Sequence, residues 1–173
     1  TTRRLCRAGI IAALYTVLTY VFGALSHNGF LQIRPAEALC ILPLFFPEAV
    51  PALVVGCAIA NLPSPFAIYD ISIGSIATLL AALSTYAVGR MFQSDRIKIA
   101  LGGLSPIVFN ALLIPIIIVF LCGDLGGQST AVGAYFFFAA SLAATECIWV
   151  YALGTPLYFI VKRLREKKIS SFL

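Results

Sequence analysis

The chain has 173 residues, of which 61% are hydrophobic and 11% are charged, and its net charge is +5. Soluble domains carry about 25% charged residues, so this composition excludes an ordinary soluble protein and predicts a protein of the lipid bilayer. The basic residues flank the apolar runs as membrane anchors do, which argues against nucleic-acid binding. We expect residues 1–173 to form a single transmembrane domain.

Apolar runs separated by short polar loops predict six transmembrane helices. A helix needs about 20 residues to cross the hydrocarbon core. The last run is long enough to tilt and to project into the cytoplasm. The predicted helices, in chain order, occupy about 5–25, 35–46, 48–62, 70–91, 99–122 and 132–162.

The stretch 35–62 is too long for one crossing and short for two, and three prolines break it. If it turns back at Pro47 and Glu48, eleven of the twelve Lys and Arg residues face the cytoplasm and only Arg34 lies outside. The positive-inside rule favours this hairpin and places both chain ends in the cytoplasm. Because broken helices leave carbonyl groups unpaired, we expect the hairpin inside the bundle, next to a site.

Four acidic residues are functional candidates, since an ionisable residue inside a span costs roughly 2.5–3.5 kcal/mol. Glu146 is the strongest, because it lies near the middle of the sixth helix with no basic residue within a turn. Glu37 opens the second helix, where a simple pair with Arg34 is the alternative. Asp70 opens the fourth helix and could equally be its N-cap. Glu48 is expected to be solvated or to lie at an interface.

Amide and aromatic side chains extend this candidate site. Asn61 ends the third helix, and Asn110 lies in the middle of the fifth at a depth similar to that of Glu146. An amide and a carboxylate that face one cavity suit a ligand with several N–H donors. Trp149 and the outer Tyr69 could stack on a flat ring, although packing or an interfacial aromatic belt is the alternative.

The sequence carries no signature of an enzyme. It has one histidine, five cysteines without a C-x-x-C pair, and no G-x-x-x-x-G-K-[ST] phosphate loop. We therefore predict no catalytic residue, no metal and no cofactor. Uphill transport would need energy from a partner or an ion gradient.

A pair of small residues lies near the start of the first helix. Ala8 and Ala12 form an A-x-x-x-A motif, and small residues four apart let helix backbones approach closely in lipid. The pair could pack within this chain or dock onto another membrane protein.

The stretch Q-I-R-P-A-E-A-L-C-I-L-P at 32–43, with G-C-A-I-A-N-L at 56–62 and D-I at 70–71, resembles the QueT family. Members are S-components, the substrate-binding subunits of energy-coupling factor (ECF) transporters, and are associated with queuosine precursors. The resemblance covers chain length, six spans, basic ends and the alanine pair. It implies the S-component fold.

The resemblance also implies partners and a substrate. The partners are a transmembrane coupling subunit that docks on Ala8 and Ala12, and two ATPase subunits. The loop 26–34 would gate the site. The implied substrate is a 7-deazaguanine, such as its 7-aminomethyl form or queuine. A carboxylate can accept the donor edge of such a base, and a cationic aminomethyl group would want a second acid.

On this hypothesis Glu146 or Glu37 reads the edge of the base. Three alternatives remain open: an S-component for another vitamin, a proton-coupled carrier in which these two acids relay protons, and a membrane enzyme or scaffold. The other residues assigned to the substrate site are Arg34, Asn61, Asp70, Asn110, Trp149 and Tyr69.

Overall fold

A computed structural model describes residues 2–23, 33–64 and 66–167, and the regular structure in these ranges is entirely helical. Four of the six helices are long and apolar enough to cross a membrane. The prediction of an all-α membrane fold is thereby confirmed, whereas six separate crossings and cytoplasmic ends stay predictions. The helices are α1 (Thr2–Phe22), α2 (Pro35–Leu44), α3 (Ala49–Ala60), α4 (Ala67–Met91), α5 (Asp95–Leu121) and α6 (Ala131–Glu166).

The second helix is the least regular element of the bundle. It is a 3₁₀ helix of 10 residues, and runs longer than about four residues are uncommon in this geometry. Pro43 gives one reason, because it lacks an N–H group and its ring would clash with the Leu39 carbonyl in an α-helix. At a rise of about 2.0 Å per residue α2 spans about 20 Å, which is less than the thickness of about 30 Å of a bilayer core.

This short helix lies in the centre of the bundle, where we expect the hairpin. Every residue from Pro35 to Pro43 is buried, and α2 packs against α1, α4, α5 and α6. The following α3 has 12 residues and keeps one exposed face, which includes Val55 and Ile59. The lipid-facing helices therefore enclose a segment whose backbone could not face lipid alone.

Two glycines allow helix backbones to touch around α2 and α3. A Cβ atom on Gly56 would lie 3.0 Å from the Ala12 carbonyl oxygen, so α3 packs directly on α1. A Cβ atom on Gly89 would lie 2.8 Å from the Leu44 carbonyl oxygen. The C-terminal end of α2 is therefore fixed against α4.

The ends of several helices meet at one end of the bundle. Arg4 of α1, Pro47 of the α2–α3 turn, Arg90 of α4 and Arg165 of α6 line one cavity. The start of α1 and the end of α6 consequently lie on the same side of the molecule. This is the arrangement that the hairpin prediction requires.

A buried ion pair ties α1 to the α2–α3 turn at this end. Arg7 Nη1 lies 2.6 Å from Glu48 Oε1, and the side chain of Glu48 is only 10% exposed. The Arg7 guanidinium also lies over the Phe46 ring, 4.3 Å from its centroid. Solvation of Glu48, the first alternative, is therefore wrong, because α1 supplies a cation to it. A position at an interface with another protein stays a prediction.

Candidate functional site

A cluster of charged and polar side chains is buried where α1, α2, α5 and α6 meet. Arg34 directly precedes α2, and Glu37 lies in the first turn of α2. Asn110 projects from α5 and Glu146 from α6, and all four side chains are buried. Elements far apart in the sequence thus bring one cation, two acids and an amide into the apolar interior.

Glu37 is held by contacts to both of its carboxylate oxygens. The fully buried Tyr15 of α1 donates its hydroxyl to Glu37 Oε1 at 2.6 Å, and Cys40 Sγ contacts Oε2 at 3.2 Å. Arg34 Nε lies 3.7 Å from Glu37 Oε1. The Arg34–Glu37 pair considered as an alternative is thus present, and it is part of a larger network.

Glu146 is held on one side only. Asn110 Nδ2 donates to Glu146 Oε1 at 2.8 Å. Glu146 Oε2 is buried without a hydrogen-bond partner among the described residues, and the same holds for Arg34 Nε. Both Arg34 and Glu37 interact electrostatically with Glu146. One acceptor and one donor in the same network therefore have capacity for a further partner.

The charges of the cluster do not balance. Arg34 supplies one positive charge, whereas Glu37 and Glu146 together supply two negative charges when ionised. A buried charge without compensation is costly. The network therefore favours a partner that brings N–H donors and a positive charge.

Asn61 and Asp70 lie in a separate place, the corner where α3 ends and α4 begins. Asn61 Nδ2 donates to the Asp70 backbone carbonyl at 3.1 Å, and Ser64 donates its hydroxyl to the Asp70 carboxylate. The prediction that Asp70 opens the fourth helix, as its N-cap or otherwise, is wrong. The helix begins at Ala67, and Asp70 starts a π-helical turn within it.

The two candidate stacking rings have other surroundings. Trp149 is partly buried, and its ring centroid lies 6.4 Å from that of Phe22 at the end of α1. Tyr69 is 42% exposed at the start of α4. Across the described part of the chain, no ring contact or hydrogen bond joins either residue to the buried cluster. Their stacking on a substrate stays a prediction.

The alanine pair of α1 faces partly inward. Ala8 and Ala12 are both partly buried and pack against the hydrophobic core of this chain, with Ala12 next to Gly56. Packing within the chain, the alternative considered for these residues, is therefore present. Docking of a partner on them stays a prediction. Of the gating loop, residues 26–32 lie outside the described residues.

Sequence reasoning missed Tyr15 and Cys40, which both contact Glu37. A signal for Tyr15 was available, because it lies on the stripe of α1 that also buries Ile11 and Thr19, and a hydroxyl on a buried stripe needs a partner. Cys40 follows Glu37 by one 3₁₀ turn. In the described ranges, no group of three or more His, Cys, Asp or Glu side chains could hold a metal ion.

Comparison with known proteins identifies a family. The model of the QueT transporter family matches residues 5–163, a range that contains the whole buried cluster. No curated protein and no solved structure matches the chain at the required level of similarity. With its four long apolar helices the protein is a multi-pass membrane protein. Because the match covers most of its length, the chain belongs to the QueT transporter family.

Proposed function

We propose that this chain is the substrate-binding S-component of an ECF importer that takes up a queuosine precursor. Membership of a transporter family supports a role in transport. The observation that carries the substrate assignment is the buried Glu146 carboxylate, which has one oxygen unbonded among the described residues and lies in a network with Arg34 and Glu37. We place the substrate, a 7-deazaguanine, at this network.

Glu146 is better suited than Glu37 to read the base. Both oxygens of Glu37 already have partners in Tyr15 and Cys40. Glu146 Oε2 can accept an N–H donor from the guanine-like edge, while Asn110 orients the carboxylate through its other oxygen. Arg34 Nε can donate to the carbonyl oxygen of the base.

The excess negative charge favours a cationic substrate. A protonated aminomethyl group would bring the charge of the cluster to zero, and charge-assisted hydrogen bonds to carboxylates are about twice as strong as neutral ones. We therefore propose the 7-aminomethyl form ahead of queuine or a neutral base. In this assignment Trp149 or Tyr69 stacks on the ring. Asn61 and Asp70 hold the separate α3–α4 corner together and do not contact the substrate.

Binding to the purified chain tests this assignment. Calorimetric titrations compare 7-aminomethyl-7-deazaguanine and queuine with riboflavin, thiamine and biotin. We expect heat of binding from the deazaguanines alone. Preference for one of the vitamins would instead identify an S-component for that vitamin. Uptake by the isolated chain in proteoliposomes, driven by a proton gradient without ATPase subunits, would identify a secondary carrier.

Energy coupling needs a separate test, because the sequence contains no phosphate-binding loop. We propose that a transmembrane coupling subunit, driven by two ATPase subunits, docks on α1 at Ala8 and Ala12, and that the loop 26–34 gates the site. Ala8→Trp should leave substrate binding intact and stop ATP-dependent uptake. Ala13→Trp is the matched control, since Ala13 is exposed on another side of α1. Loss of uptake in the control alone would move the docking surface away from Ala8.

A further inference from the structure

A cavity of about 580 Å³ opens at the end of the bundle where α1 begins and α6 ends. It is separate from the buried cluster and lies between the ends of five helices and the α2–α3 turn. Five basic side chains and two acidic ones line it, together with apolar and aromatic residues. The basic residues are Arg4, Arg90, Lys98, Lys162 and Arg165, and the acidic ones are Asp95 and Glu166.

Both acids of this cavity lie within ion-pair distance of the same cation. Lys162 forms an ion pair with Asp95 and lies 3.9 Å from Glu166 Oε1. Asp95 also accepts a hydrogen bond from the Tyr158 hydroxyl at 2.8 Å. Among the described residues, the other four cations have no carboxylate within ion-pair distance. The cavity therefore carries an excess of positive charge.

One of these cations is held in a fixed orientation. Arg90 Nε donates to the Tyr86 hydroxyl at 3.1 Å, and its guanidinium lies 5.5 Å from the centroid of the Tyr86 ring. A guanidinium presents several N–H groups in one plane, a geometry that matches the oxygens of a phosphate. Arg90 is thus positioned to receive an anion without first losing side-chain freedom.

The cavity also has an apolar part. The rings of Phe45 and Tyr158 pack against each other with centroids 4.8 Å apart and planes tilted by 44°, and Leu44 and Pro47 also line the cavity. A ligand that fills the cavity would thus meet both positive charge and apolar surface. This combination favours an amphipathic anion over a fully hydrated one.

We propose that this cavity binds the phosphate group of an anionic membrane lipid. Its volume is in the range of about 300–1,000 Å³ that is typical of small-ligand sites. It lies where the spans end, the level at which lipid headgroups are found. Basic pockets between transmembrane helices at that level bind anionic headgroups. The inference does not depend on the identity of the transported substrate.

Lipid binding to the purified full chain tests this site. Native mass spectrometry compares phosphatidylglycerol with phosphatidylcholine for the unchanged protein and for two double variants. The first, R90Q/R165Q, removes two cations of the cavity. The second, R96Q/R163Q, is its matched control, since Arg96 and Arg163 are exposed and do not line the cavity.

We expect the unchanged protein to prefer phosphatidylglycerol, and R90Q/R165Q to lose about 30-fold in affinity for it. The control should keep its affinity. Lys98→Gln provides an independent test should the double variant fail to fold. Competition by glycerol 3-phosphate, which has the phosphate but no acyl chains, would extend the site to soluble phosphates, whereas no competition would limit it to lipids.

Two results would overturn the proposal. An equal loss in both double variants would show that the whole basic surface attracts the lipid and the cavity does not. No preference for phosphatidylglycerol over phosphatidylcholine would also exclude the site. The latter result is expected if the cavity receives an acidic segment of a partner protein instead.

Discussion

The two groups of polar residues inside this bundle differ in how completely they are hydrogen-bonded. In the α3–α4 corner, Asn61 and Ser64 both donate to Asp70, one to its carbonyl and one to its carboxylate. In the central cluster, Glu146 Oε2 and Arg34 Nε have no partner among the described residues. Buried polar atoms in folded proteins are nearly always bonded. The corner thus has the features of a structural joint, and the cluster those of a binding site.

The groups also differ in charge. The corner holds one carboxylate, that of Asp70, which accepts a hydrogen bond from the neutral hydroxyl of Ser64. The cluster holds two acidic groups and one guanidinium, all of them buried. A bundle that required only a stable fold would have little reason to bury three charges, since apolar replacements of buried ion pairs are often neutral or stabilising. Three variants test this difference between the two groups.

The largest effect is expected from Glu146→Gln. The glutamine keeps the shape and can still accept from Asn110, but it removes the negative charge that a cationic base needs. We expect the affinity for 7-aminomethyl-7-deazaguanine to fall by at least about 100-fold in calorimetry. Glu166→Gln is the matched control on the same helix, because the side chain of Glu166 is 63% exposed. Unchanged affinity of the Glu146 variant would remove this residue from the site.

The main effect of Arg34→Gln should be a loss of stability. It leaves Glu37 and Glu146 buried without a cation, and breaking a buried pair on one side costs about 3–5 kcal/mol. Thermal unfolding in detergent should show a lowered midpoint. The double variant R34Q/E37Q removes one charge of each sign and should recover part of that loss. A double variant no more stable than R34Q would show that the pair does not control the charge balance.

Ser64→Ala should have the smallest effect. It removes the hydroxyl that donates a hydrogen bond to the Asp70 carboxylate, which should lower the free energy of unfolding by about 1 kcal/mol. Substrate affinity should stay unchanged, because the described contacts of the corner do not reach the cluster. Calorimetry and thermal unfolding on the same preparation separate the two quantities. A large loss of affinity would place the corner within the site and end the contrast.

Much of this arrangement can be predicted from the sequence, because a lipid environment requires long apolar helices and makes buried charges costly. Hydropathy finds the long helices, and the cost of burying charge singles out Glu146. The contact between Asn110 and Glu146 follows from their similar depth in neighbouring helices. Each of these inferences needs only one-dimensional information along the membrane normal.

Other features depend on lateral packing, which hydropathy does not encode. Which four helices surround α2 is one such feature. The bond from Tyr15 to Glu37 requires α1 to turn this face toward α2. Asp70 lies inside α4 because that helix starts three residues earlier than its apolar run indicates. These contacts depend on how each helix is rotated about its own axis. That rotation is set by the packing of the folded bundle.

The fixed end of α2 has a mechanical consequence. A 3₁₀ helix rises about 2.0 Å per residue and an α-helix about 1.5 Å. Pro43 disfavours an α-helical turn over 39–43, so rewinding would be confined to residues 35–39 and would shorten α2 by about 2.5 Å. Leu44 is held where α4 comes closest, at Gly89. The shortening would therefore be transmitted to the other end, where Glu37 and the preceding Arg34 lie. Such a movement is about as long as the hydrogen bond of 2.6 Å between Tyr15 and Glu37. A change in the winding of α2 would therefore be enough to break the contacts that hold Glu37.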